Sequence, residues 1–160
     1  MSEPLSWWLL LQNTIWAAVA ALGFAILFNV PVRTLAGCAV CGAAAYLVRT
    51  VTANFEPLGI EAATLAGATV VGFLGVAFGR RWHLPAPVFV VPGVIPLIPG
   101  SLAFRTMIDM LALTTSTAGV DNLLLQQAAV NGLKTGLIVS AIAGGIAVPS
   151  LLLRRHRPMT

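Results

Sequence analysis

Charged side chains are scarce in this chain: five acids and nine bases among 160 residues, 9% in all, where a soluble domain is roughly a quarter charged. That scarcity excludes an ordinary solvated surface. Histidine and cysteine occur twice each, too few for a closed zinc site, which takes about four ligands. Cys38-x-x-Cys41 has the spacing of a redox motif, but it lies in an apolar stretch, with the histidines distant at positions 83 and 156. It reads as two small residues for helix packing, and no metal or cofactor is implied. Also missing are a Ser-His-Asp constellation, a glycine-rich phosphate loop and carboxylates spaced for glycosidase chemistry, so the chain is not read as an enzyme. A formal charge of +4 invites the thought of nucleic acid, yet the bases are scattered among loops and helix ends and line no single face. Nucleic-acid binding is set aside. Met1 to Pro4 has no basic n-region and no A-x-A cleavage site follows, so the first apolar stretch is expected to be retained as a helix.

What is present in abundance is apolar surface: 58% of the residues are hydrophobic and the mean hydropathy is +0.93. A crossing needs about 20 apolar residues to span a hydrocarbon core of ~30 Å, so the length leaves room for about five or six crossings and no extramembrane domain. The expectation is an all-α integral membrane protein, residues 1–160 forming one transmembrane domain in contact with lipid. Helices are expected at about 5–28, 35–53, 61–79, 85–113 and 123–153, the fourth broken near 92–100. Trp7 and Trp8 fall where an interfacial aromatic belt would lie. With the amino terminus outside, five crossings gather Arg33, Arg80, Arg81, Arg154, Arg155 and Arg157 on the cytoplasmic side together with the carboxy terminus, as the positive-inside rule asks. Glu3, Glu56, Glu61 and Asp121 then lie outside. Arg49, late in the second helix, is the exception and is read as an interfacial anchor in preference to a gate charge.

Small residues are dense, as in Gly75-x-x-x-Gly79, Gly132-x-x-x-Gly136 and Ala141-x-x-x-Gly145. Such faces allow close helix approach in lipid, and so many of them point to a partner chain.

The most informative stretch runs from Val91 to Ser101, where Pro92, Gly93, Pro96, Pro99 and Gly100 crowd together. Each proline removes a backbone donor and orphans a carbonyl, and at membrane depth such groups are tolerated only where they are buried in protein or line a cavity. At ~1.5 Å per residue from an entry near Pro85, the break falls close to the bilayer midplane, where secondary transporters hold their substrates. Ser101 is expected to cap a second half-helix, whose amides and positive dipole end suit a carboxylate. Arg105 and Asp109, one turn apart, are an intramembrane ionisable pair, a functional signal by default; the bland alternatives are mutual neutralisation, or an Asp109 already at the outer interface. Asn131 and Lys134 in the fifth helix complete the set, Lys134 either snorkelling, pairing with Asp109 or meeting an anionic substrate.

Phe28-Asn29-Val30-Pro31-Val32-Arg33 after the first helix, Arg49 in the second, and Val94-Ile95-Pro96 with Pro99-Gly100 in the fourth resemble the threonine/serine exporter family, specifically its small split subunit of the YjjB type. The resemblance covers nearly the whole chain, with Asn29, Pro31 and Arg33 forming a cytoplasmic turn motif. It implies the carboxy-terminal half of a two-component exporter in a bacterial inner membrane, a larger YjjP-type subunit as partner, and export of threonine and serine or of succinate, driven by the proton-motive force. For an amino acid, Asp109 or the carbonyls of residues 92 to 99 would accept the ammonium. For a dicarboxylate, Lys134 would be the second cation. Two other readings stay open: a non-catalytic assembly subunit, and a homo-oligomeric channel.

Overall fold

In the computed structural model, residues 7–54, 59–115 and 122–153 are described, and among them every regular element is helical. The elements are α1 (Trp7–Leu27), α2 (Leu35–Ala53) preceded by a 3-10 turn at Val32–Thr34, α3 (Ile60–Trp82), α4 (Pro87–Val94) continued by a 3-10 turn at Ile95–Leu97, α5 (Gly100–Thr115) and α6 (Asn122–Leu153). α1, α2, α3 and α6 are each long and apolar enough to cross a membrane, and α4 with α5 makes a fifth span when its two pieces count as one. Glu3, Glu56, Asp121 and the basic tail from Arg154, on which the expected orientation leans, lie outside the described residues.

The chain divides into two units, Met1–Leu97 with Ala141–Thr160, and Ile98–Ser140. In the first, α2 is the central element, packed on α1, α3 and α4. Its small residues let the neighbours close in: a Cβ on Gly42 would stand 2.5 Å from the Ala21 Cβ of α1, and one on Gly67 of α3 would stand 2.8 Å from the Ala45 carbonyl oxygen. Ala17, Ala21 and Ala25 form the buried stripe of α1, one turn apart, while Trp7, Trp8 and Trp16 are exposed. In an apolar helix the buried face is thus the small one and the large side chains turn outward, as packing in lipid favours. The carboxy-terminal part of α6 uses the same device, Gly145 lying against Ala68 and the Leu65 carbonyl of α3.

Helix ends follow local chemistry. Asn29, at φ 56, takes the left-handed conformation after α1, and the Val30 N–H reaches back to the Ala25 carbonyl at 3.0 Å while the Asn29 N–H meets that of Ile26. These are the two bonds of a Schellman cap, with Pro31 stopping the helix just beyond. His83, at φ 54, closes α3 in the same way, with the Leu84 N–H on the Gly79 carbonyl. α3 therefore runs to Trp82, a turn past the expected end at 79, because Arg80 and Arg81 suit the negative end of the helix dipole.

The small-residue motifs are largely spent inside the chain. Gly75 is pressed against Val90 and Gly79 against the Leu84 carbonyl, and Gly132 of α6 meets Thr106 of α5, whereas a Cβ on Gly136 would meet nothing within 4 Å. Their density therefore carries little weight for a partner chain.

Candidate functional site

The proline-rich span is interrupted over a shorter stretch than its composition implies. Pro92 and Gly93 remain within α4, which ends at Val94; the chain then tightens into the 3-10 turn and is non-helical only at Ile98 and Pro99. Pro92 survives in a helix because its cost is met elsewhere. Lacking an N–H, it cannot serve the Val88 carbonyl four residues back, and the Cys38 thiol of α2 donates to that oxygen at 3.5 Å. Gly93 admits the close approach: a Cβ there would stand 2.6 Å from the Cys41 Cβ.

At the interruption the freed carbonyl is that of Leu97. In a continuous helix it would accept from the Ser101 N–H, but α5 begins afresh, its first bond running from the Ala103 N–H to the Pro99 carbonyl at 3.0 Å. The Leu97 oxygen instead receives Nη1 of Arg49 at 3.3 Å. Arg49, expected as an interfacial anchor, is thus bonded to the carbonyl at the break. Cβ atoms on a helix lean toward its amino terminus, so an arginine four residues before the end of α2 extends back along the helix, toward the break and away from the near interface. Gly93 lies against Cys41, seventh residue of α2; at ~1.5 to 2 Å per residue, Leu97 comes about halfway along that helix.

Two expectations about α5 need correction. Pro99, not Ser101, occupies its N-cap position, because the Pro99 carbonyl already accepts the first helical bond; Ser101 is two residues too far in to cap and is exposed. The Gly100 N–H is not free either, since it donates to the Ile98 carbonyl at 2.9 Å. The amides of Ser101 and Leu102 are the ones that stand ahead of the first helical bond.

The second unit sorts the polar candidates by face. On α5, Leu102, Thr106, Asp109 and Leu113 form the covered stripe, with Thr106 buried and Asp109 half-buried, whereas Arg105 is exposed. On α6, Leu124, Ala128, Asn131, Thr135 and Ile138 form the corresponding stripe, and Lys134 is exposed. The helices meet where a Cβ on Gly132 would stand 3.3 Å from Thr106 Cγ2. Asp109 and Asn131 therefore belong to covered faces, and Arg105 and Lys134 point outward. Pro96 and Pro99 are half-buried and Gly100 is exposed. In the turn after α1, Asn29, Pro31 and Arg33 are exposed, and the Pro31 carbonyl accepts both the N–H and the hydroxyl of buried Thr34 at 2.8 Å. That turn motif has a structural task.

Reading residue types alone missed the parts played by Cys38, Arg49 and Thr34. A signal existed for the first: every proline at position n in a helix orphans the carbonyl at n−4, which names Val88 as needing a donor. Cys38 and Cys41 are free and buried, and among the described residues no group of His, Cys, Asp and Glu could hold a metal. A cleft of about 530 Å³ in the first unit is lined by Gly72, Val76, Pro87, Val91, Ile146, Arg80 and Ser150 among others; none of the expected site residues lines it.

Long apolar helices packed through small residues, with one span interrupted by proline and glycine, define a multi-pass helical membrane protein. The family model described as "Threonine/Serine exporter, ThrE" matches residues 13–152, and the chain belongs to that family. It is 35% identical over 150 residues to an uncharacterized protein of Haemophilus influenzae, an alignment that covers 94% of this chain and 50% of the relative. The chain thus spans about half the length of that relative. No solved structure matches it.

Proposed function

We propose that this chain supplies one half of the transport path of a secondary exporter, carrying a small carboxylate-bearing metabolite, threonine and serine or a dicarboxylate such as succinate, out of a bacterial cytoplasm across the inner membrane. The observation that carries the reading is the interruption itself. An apolar span that stops at Ile98 and Pro99 and restarts at Gly100 spends backbone hydrogen bonds, a cost with no return in a purely structural helix. Secondary transporters use such discontinuous helices to present free backbone groups to substrate. Membership in the exporter family supports the same class of activity.

The substrate carboxylate is received by the Ser101 and Leu102 amides at the positive end of α5, with Arg105 one turn on. Asp109 and Asn131, on covered faces, are the polar groups for the rest of the molecule, and Lys134 is held for a second carboxylate. A curated relative twice as long supports a path completed by a further segment of comparable size, contributed by a larger YjjP-type subunit. Export is driven by the proton-motive force, with the amino terminus outside.

The test is efflux of threonine, serine and succinate from cells lacking their own exporters, comparing this chain alone with the chain plus a YjjP-type partner. Efflux needing both chains supports the split exporter. Efflux from this chain alone points to a self-sufficient homo-oligomer, and the absence of efflux for all three solutes sinks the reading.

A further inference from the structure

Arg49 is a cation in the middle stretch of an apolar bundle, and its chemistry is only partly answered. Its one hydrogen bond among the described residues is to the neutral Leu97 carbonyl, and no carboxylate among them pairs with it. A carbonyl offsets part of the cost of holding a guanidinium away from bulk water, but buried charges are ordinarily paired with an opposite charge. Among the described residues no buried side-chain nitrogen or oxygen lacks a partner. The Arg49 nitrogens that do not serve Leu97 are therefore not sealed inside the protein. They belong to a side chain that Leu97 holds in place and that packs beside Gly67 of α3, where a Cβ on the glycine would stand 3.5 Å from the Arg49 Cβ.

We infer that Arg49 is an anion-binding residue of the transport path: tethered through one N–H to the Leu97 carbonyl, it offers its remaining donors to a carboxylate of the transported metabolite. The guanidinium fork matches a carboxylate in two parallel bonds, which an ammonium or a backbone amide cannot reproduce. The residue thus does two things at once. It holds the last carbonyl of the first half-span, and it carries the positive charge that a passing anion needs at that depth. This inference rests on the reading of the chain as a carboxylate exporter and adds a cation from α2.

The charge and the fork of Arg49 separate chemically. Arg49→Lys keeps the charge and a donor of nearly the same reach while losing the fork, whereas Arg49→Gln removes the charge and ends two bonds short of the Nη1 that serves Leu97. In the full complex, assayed for efflux, Arg49→Gln is expected to raise KM by roughly 10- to 100-fold, the value of a charge-assisted hydrogen bond, with Arg49→Lys between it and the wild type. An unchanged KM for Arg49→Gln overturns the inference, and a wild type that exports no carboxylate overturns the reading it rests on. Wild-type protein in membranes gives a second test that needs no variant. Modification of Arg49 by phenylglyoxal, located by mass spectrometry, is expected to slow in the presence of succinate or threonine and not with the uncharged succinamide. Equal rates under all conditions, or slowing by succinamide as well, overturn the inference.

Discussion

The thiol of Cys38 donates to the carbonyl of Val88 at 3.5 Å, and that carbonyl is the one Pro92 deprives of its helical partner. Eleven residues further along α2, three turns and so on nearly the same face, Arg49 serves the Leu97 carbonyl where the span stops. One face of α2 thus repairs two defects that the prolines introduce into α4 and the turn after it.

The repair at Val88 can be weighed by substitution. Cys38→Ala removes the donor and is expected to cost about 1 kcal/mol, the value of an ordinary hydrogen bond. Cys38→Ser, which keeps a donor of similar size, is expected to stay closer to the wild type. Thermal unfolding of the purified protein in detergent, read for both variants, separates the lost bond from the lost volume.

Glycines of equal standing in the sequence are expected to behave differently. A Cβ on Gly145 would stand 2.6 Å from the Ala68 Cβ and 2.9 Å from two backbone atoms of α3, so Gly145→Ala is expected to destabilise by about 1 to 3 kcal/mol. At Gly136 nothing lies within 4 Å, and Gly136→Ala is expected to be neutral or to stabilise by about 0.5 to 1 kcal/mol. The same unfolding measurement checks both.

Left-handed caps make a matched pair of expectations at Asn29. Asn29→Gly keeps the conformation at no steric cost, whereas Asn29→Val places a branched side chain at φ 56 and is expected to cost about 1 to 2 kcal/mol. Loss of thermal stability in the glycine variant would contradict the Schellman cap.

Substrate class is expected to divide the variants of the second unit. Asp109→Asn should depress efflux of threonine and serine at least tenfold, about 1.4 kcal/mol, and spare succinate, because only the amino acids bring an ammonium to the half-buried carboxylate. Lys134→Gln should affect succinate alone. Efflux rates for the three solutes in each variant decide between them.

Orientation is open to a direct test at two exposed positions. With cysteine at Val32 or at Asn54, each in a chain whose Cys38 and Cys41 are replaced by serine, an impermeant maleimide applied to intact cells is expected to label position 54 and not position 32. The reverse pattern inverts the topology, and labelling of both removes α2 as a crossing.

Much of this fold was legible along the chain. Apolar runs of crossing length, punctuated by Asn29-Val-Pro31 and by Arg80-Arg81, place the helices to within a few residues, because hydropathy and helix-stop chemistry are local properties. The crowding of Pro92, Pro96 and Pro99 located the interruption for the same reason. Its extent was less legible: Pro92 and Gly93 stay helical because α2 supplies a thiol and a small face. Ser101 gave way to Pro99 at the cap because the first helical bond begins two residues earlier than residue preference suggests.

The amino-acid sequence by itself determined that this is a membrane-spanning helical protein with one defective span, since too few charges and too many apolar runs leave no other solvent for it, and a proline without an N–H orphans a carbonyl in any context. Only the tertiary structure decided which groups answer those orphans, turning Arg49 to the break, Cys38 to Val88 and Asp109 to a covered face while Arg105 and Lys134 point outward. A missing donor is written into the residue that lacks it, but the donor that replaces it comes from a helix some fifty residues away, and no local pattern records which face that helix will present.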